Sequence, residues 1–348
     1  MSDQGSTPPD SNDARDAAGP PRLTIQQIES ELEQFPSPVA ERFRLASSTL
    51  SGRLADETLQ EWAATGLEIS RKTVRSWEAA SEFFDASAAV QRQLPSGQFL
   101  RWGRTGSSLC GDSPSLAVAY FKASPAAMLR LRPRYIDDWA SVTRALYRGT
   151  WKSSALAARL FESTPMLLET LSFDEFCSFG GFLEVLSRRS YDSASDSLTA
   201  GVALFPRLGS DSDHFIALAR SVSESSWREV KDLFEAGTDS LASLPSSHRV
   251  ALLSLARRLN AMGSADSSAL LRAGARAVSG VPADERERLL ELTDRLASVH
   301  AQAAPEFLKS APGVLERVTF AQLAEWHLRG TQISKENPEA AVSYFKLE

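Results

Sequence analysis

Four histidines, two cysteines and scattered carboxylates are the side chains of this chain that lend themselves to acid–base, metal or nucleophilic chemistry. His214, His248, His300 and His327 stand far apart, and none has a second ligand at helical spacing. A metal centre needs converging His, Cys or carboxylate ligands, and no H-x3-H, HExxH or CxxC pattern occurs. Cys110 and Cys177 each lie inside an apolar helical pattern, where a free thiol behaves as a small hydrophobe. No glycine-rich loop ends in Lys-Ser or Lys-Thr, Gly180-Gly181 falls within a helical pattern, and no G-x-S-x-G elbow is present. Asp137-Asp138 and the run Asp284, Glu285, Glu287 sit at expected helix starts, where carboxylates complement the helix dipole. The expectation is a protein that is not an enzyme and has no catalytic residues, metal or cofactor.

One segment departs from the average. Between Phe99 and Lys152 nine basic residues (Arg101, Arg104, Lys122, Arg130, Arg132, Arg134, Arg144, Arg148, Lys152) face three acidic ones (Asp112, Asp137, Asp138). Trp102, Tyr120, Tyr135, Tyr147 and Trp151 are interleaved with them. Such a mixture suits an acidic partner or nucleic acid. Arg130, Arg132, Arg134, Arg144, Arg148, Trp151 and Lys152 are therefore the candidate partner-binding residues. A solvated basic face around a helical core explains the same residues. The formal net charge of −6 opposes a surface devoted to nucleic acid, since that binding draws on phosphate neutralisation. Trp77, Trp151 and Trp227 lie off the repeat positions defined below and are further candidates for an exposed surface.

The elements that would hold these residues follow from patterning. With 43% hydrophobic and 24% charged residues, the 348-residue chain has a globular composition. No apolar run is long enough to span a membrane, and no secretory leader pattern opens the chain, so a cytoplasmic location is expected. Arginine far outnumbers lysine and alanine is abundant, which points to a GC-rich bacterial genome. Residues 1–22 are rich in Ser, Asp, Gly and Pro and read as a disordered tail. Apolar residues at helical spacing begin at Leu23, and residues 23–58 are expected to form N-terminal capping helices.

Aligned with itself, the chain shows a repeat over residues 59–348. A large apolar opener recurs at Trp62, Trp102, Trp139, Phe176, Phe215, Leu252, Leu289 and Trp326, mostly 37 residues apart. A smaller residue follows one helical turn later, at Gly66, Gly106, Thr143, Gly180, Ala219, Ala256, Thr293 and Gly330. A second anchor, at Phe84, Phe121, Phe161, Leu198, Phe234, Leu271, Leu308 and Phe345, marks a second helix. Three residues beyond it stand Ser87, Ser124, Thr164, Gly201, Gly237, Gly274 and Ala311, and Pro125, Pro165 and Pro312 follow three of these. Ser-Pro suits a helix start and Gly a helix end, so the second helix is expected to break there. A short third helix would then be anchored by Leu94, Leu131, Leu171, Leu208, Leu244, Val281 and Val318. On that reading the eighth unit lacks its third helix, as expected of a piece of a longer chain. No period-two alternation appears, so no sheet is expected. The fold class expected is all-α, a right-handed α-solenoid of the armadillo, HEAT or tetratricopeptide kind with about eight units. The favoured function is a protein-interaction scaffold; a nucleic-acid-binding solenoid using residues 99–152 is the alternative.

Trp62, Gly66 and Ile69 match the first helix of tetratricopeptide repeats, but the period and the second-helix landmarks differ. Trp102, Gly106, Ser113, Pro114, Ala117, Tyr120, Phe121, Ser124 and Pro125 form one copy of a broader pattern. Trp326, Gly330, Pro338, Glu339, Ala340, Ala341, Tyr344 and Phe345 form a second. Over residues 60–348 this resembles the helical-repeat region preceding the von Willebrand factor A domain of bacterial nitric oxide reductase activation (NorD-like) proteins. The resemblance implies an adaptor that works with a MoxR-type AAA+ ATPase in maturing or remodelling a client complex. The D-x-S-x-S metal signature of that A domain is absent from these residues, so no functional residue carries over.

Overall fold

The structure, a computed structural model, describes residues 23–148, 153–263 and 266–346. The proposed tail 1–22 and the candidates Trp151 and Lys152 lie outside the described residues. Among the described residues the chain is all helix with no strand. An opening pair, α1 (Ile25–Leu32) and α2 (Pro38–Leu50), is followed by eight further pairs. These are α3 (Asp56–Arg71) with α4 (Ser76–Gln91), α5 (Ser96–Asp112) with α6 (Pro114–Ala127), and α7 (Ile136–Tyr147) with α8 (Ser153–Leu167). Then come α9 (Phe173–Arg189) with α10 (Tyr191–Leu208), α11 (Ser212–Ser225) with α12 (Val230–Ala236), and α13 (Ser246–Ala261) with α14 (Ser267–Gly280). The last are α15 (Arg286–Val299) with α16 (Ala303–Leu315) and α17 (Phe320–Glu336) with α18 (Pro338–Phe345). α12 runs on as a π-helical turn, Gly237–Leu241. None of the described helices is long and apolar enough to cross a membrane.

Each first helix packs on the first helices before and after it, each second helix does the same in its own row, and the two helices of a pair pack together. The openers and second anchors fill the space between the rows. All are buried except Trp326, which is half-buried against Phe307, Tyr344 and Phe345. Gly106 is needed for close approach: a methyl group there would collide with the Phe121 ring of the same pair. Gly66 and Gly330 seat Phe84 and Phe345 in the same way.

The expected third helix does not form. Pro125, Pro165 and Pro312 lie inside α6, α8 and α16, within the last turn, where a missing N–H costs one hydrogen bond and the helix ends shortly after. The hydroxyls before Pro125 and Pro165 serve the tertiary structure instead of capping a helix. The indole Nε1–H of Trp102 donates to Ser124 Oγ at 2.8 Å, and Ser124 donates onward to the Tyr120 carbonyl at 2.7 Å. Trp62 with Ser87 (2.9 Å) and Trp139 with Thr164 (3.0 Å) repeat the arrangement. Where the opener is Phe176, Phe215 or Leu252 there is no N–H to satisfy, and the position is Gly201, Gly237 or Gly274. There an aromatic ring or Leu252 occupies the space a side chain would take. Leu94, Leu131 and Leu171 plug the turn between pairs, each donating its backbone N–H to the last turn of the preceding helix. With two helices per unit, α17 and α18 have the same make-up as the pairs before them.

His327 on α17 breaks the apolar pattern at its repeat position. The residue after the opener is Ala63, Gly103, Ala140, Cys177, Ile216, Leu253 or Leu290 elsewhere. His327 is 2% exposed, edge-on to Phe307, and neither ring nitrogen has a hydrogen-bond partner. Burial pushes its pKa below the ordinary 6.5; the nearby Leu292 carbonyl opposes this without forming a bond, and Arg295 reinforces it. The unfolded chain therefore takes up the proton first on acidification. Stability from this site is full above pH 6.5, falls as the pH drops below it, and levels off past the depressed folded-state value. Hydrogen exchange in α17 and α18 is expected to accelerate between pH 7.5 and 5.5 relative to α3–α6, and His327→Leu to abolish the difference. An unchanged ratio in the parent chain would rule this out.

Candidate interaction surface

The five described candidates divide between the two ends of α7. Arg130 and Arg132 lie in the turn after α6, and Arg134 lies in a 3-10 turn, Pro133–Tyr135, that leads into α7. Arg144 is in the last turn of α7 and Arg148 caps its C-terminus. Helical rise puts the two groups about 20 Å apart. They form no single groove.

Several arginines of the segment are engaged by carboxylates one unit away. Arg144 pairs with Asp112 at 2.6 Å and donates to Ser108 Oγ on α5. Arg104 pairs with Glu61, and Arg101 pairs with Asp137. Partial burial raises the Asp137 pKa, but hydrogen bonds from Arg101 and Thr105 outweigh it and hold the carboxyl below its ordinary 3.8. These pairs belong to a wider pattern in which polar side chains link helices one repeat apart. Arg42 meets Glu82 and Asp85, Arg71 meets Glu31, and Arg258 meets Asp294. Exposed pairs of this kind sit in water's high dielectric and are screened by salt, so they register neighbouring units more than they hold them.

The α6–α7 turn is different. The Arg132 side chain makes no hydrogen bond or ion pair with any described residue, and Arg130 reaches Glu169 only at 3.6 Å with both side chains more than half exposed. The Arg134 guanidinium lies 4.6 Å from the Tyr135 ring centroid and donates to its hydroxyl. Tyr135 in turn stacks on Phe173 of the next turn, with centroids 4.3 Å apart. The two turns enclose a depression of about 310 Å³ lined by Arg130, Arg132, Tyr135, Leu168, Phe173 and Asp174 among others. Phe173 and its stack went unread in the sequence. Its only signal is an aromatic residue directly after the Ser172 helix cap, which closes a capping box with Glu175.

Trp77 and Trp227 are half-buried against the core, the latter under Arg228 at 5.2 Å. Cys110 is fully buried, and burial raises its pKa. Burial, with Asp174 and Asp138 nearby, pushes the Cys177 thiol up to about 11. Both thiols are thus held in the protonated, weakly nucleophilic form. Among the described residues no three His, Cys, Asp or Glu side chains converge as a metal site. One polar cluster was not foreseen. Asp211, almost fully buried, accepts from Arg249 Nε at 2.7 Å and from Ser246 Oγ at 2.6 Å, and Arg249 also donates to the Arg207 carbonyl at 3.0 Å. This cluster fastens the turn before α11 to the start of α13.

Fold and surface together define, over the described residues, an all-α protein of sequentially stacked helix pairs with an exposed basic–aromatic turn between α6 and α7. No family model, curated protein or solved structure matches the chain.

Proposed function

We propose that the stacked pairs wind into a right-handed α-solenoid and that the chain serves in the cytoplasm as a non-catalytic protein-interaction scaffold. The observation that carries this is the packing itself. Every described helix makes its substantial contacts with helices one or two places away in sequence, so none of the described helices folds back over the two helical rows. Such an array devotes a large surface to partners for the length of chain used. The two stretches resembling NorD-like proteins share their local build. Each glycine seats the following Phe, and each second helix starts with proline after Ser113 or Asn337. On that resemblance the partner is a MoxR-type AAA+ ATPase and its client.

The test is titration of the purified chain with the MoxR-type ATPase of the same genome, following complex formation and ATP turnover. A stoichiometric complex with altered turnover is expected. Absence of both would sink the adaptor reading. A duplex DNA probe at about 50 and 200 mM salt separates the alternative, since phosphate-driven binding weakens steeply over that range. Neutralisation of Arg101, Arg104 and Arg144 by carboxylates favours the protein partner.

A further inference from the structure

We propose that the depression between the α6–α7 and α8–α9 turns docks an acidic peptide segment of a partner protein that carries an aromatic or large aliphatic side chain. The proposal rests on the scaffold reading and gives that partner its chemistry.

Three observations converge. The first is unspent basic charge. Arg101, Arg104 and Arg144 already have carboxylate partners, whereas Arg132 has none among the described residues and Arg130 has only a long, solvent-exposed contact. A guanidinium presents a planar fork of donors that a carboxylate meets with two parallel hydrogen bonds. Two such forks face the same depression.

The second is the apolar floor. The stacked Tyr135 and Phe173 rings, with Leu168 beside them, are only partly buried. Arg134 over Tyr135 holds that ring in place and leaves the stack preformed. Leu129 in the α6–α7 turn is 71% exposed, and Met166 on the last turn of α8 is 57% exposed. Arg, Tyr, Phe and Met are the residues enriched at protein interfaces, and a preformed aromatic platform costs little entropy on binding.

The third is uniqueness within the repeat. The equivalent turns carry Gln93-Leu94-Pro95-Ser96, Ser243-Leu244-Pro245-Ser246 and Val281-Pro282-Ala283. They keep the buried aliphatic plug but have neither an arginine cluster nor a ring pair. The repeat fold does not need Arg130, Arg132, Arg134 or the exposed stack.

Charge complementarity decides the occupant. A continuous phosphate chain would run past Glu169 and Asp174, which flank the arginines and repel it. A peptide places its carboxylates singly, one at each guanidinium, and lays an apolar side chain on the rings between them.

The experiment uses the full chain and a fluorescein-labelled peptide of alternating Glu and Phe or Leu residues, read by anisotropy. Saturable binding is expected, with affinity falling at least about tenfold in the Arg130→Glu/Arg132→Glu double variant. Arg276→Glu/Arg272→Glu on α14, with the same charge change, is expected to bind as the parent does. Phe173→Ser should weaken binding to the Phe-bearing peptide more than to one with Ala in place of Phe, which a purely ionic site would not do. Circular dichroism melts confirm that each variant is folded. No binding by the parent chain, equal loss in both charge-reversal variants, or tighter binding of a single-stranded oligonucleotide of matched charge each overturns the proposal. The peptide readout does not involve the ATPase, so failure of the adaptor reading and failure of this site are distinguishable.

Discussion

Replacing Arg249 by Leu is expected to destabilise the junction between α11 and α13 by about 3–5 kcal/mol, among the largest effects available to a single substitution in this chain. The reason is the buried partner left behind. The Asp211 side chain is 4% exposed and the Arg249 side chain 13%, so removing the guanidinium strands a carboxylate out of water with only the hydroxyls of Ser246 and, at 3.5 Å, Ser210 still donating to it. The Arg207 carbonyl loses a donor as well. Removing both charges, in Asp211→Leu/Arg249→Leu, should cost much less than the single variants together, because no uncompensated charge remains buried. Stacked arrays can unfold unit by unit, so a global midpoint alone is a blunt readout. Hydrogen exchange resolved to α11 and α13 is the measurement. Parent-like protection there in Arg249→Leu would show that the pair does not fasten these units.

Trp102→Ala should cost about 3–5 kcal/mol by deleting a fully buried indole from the middle of the core. The more discriminating set separates packing from hydrogen bonding. Ser124→Ala leaves the Trp102 N–H buried without an acceptor and should cost about 1–3 kcal/mol. Trp102→Phe removes the donor and some volume. The double variant Trp102→Phe/Ser124→Gly recreates the combination found natively at Phe176 with Gly201 and at Phe215 with Gly237. Its cost should fall below the sum of the single costs by about 0.5–3 kcal/mol, the coupling of residues in direct contact. Urea denaturation of the parent, Trp102→Phe, Ser124→Gly and the double variant supplies the cycle. Strict additivity would mean that the recurring Trp–Ser/Thr pairs carry no energetic coupling.

These two sites also show how far the sequence could be read. The openers, the small residues one turn later and the second anchors were visible because a buried position must stay apolar in every unit, and their period appears directly in the residue order. Helix starts are legible in the same way, at Ser172 with Glu175 three residues on and at Ser113 before Pro114, where the structure has a capping box and the proline-led start of α6. The same logic misjudged Ser124 and Thr164. A hydroxyl before proline suits a helix start, yet the same hydroxyl within a helix bonds the carbonyl four residues back and accepts an indole N–H from the other row. Only the partner's position decides between the two, and that partner is 22 or 25 residues away.

The basic segment shows the same division. Its excess of arginine is legible in composition, but which charges remain free depends on carboxylates such as Glu61 and Glu169, brought one unit away in space by the stacking. The sequence by itself determined the helical class, the opening pair and the eight units after it, because burial imposes periodicity on every apolar face. The tertiary structure alone decided that each unit has two helices, that Asp211 and Arg249 are a buried pair, and that free guanidinium groups and stacked rings meet at one turn. Those outcomes rest on pairings between units, and a pairing across the array leaves no period in the chain that makes it.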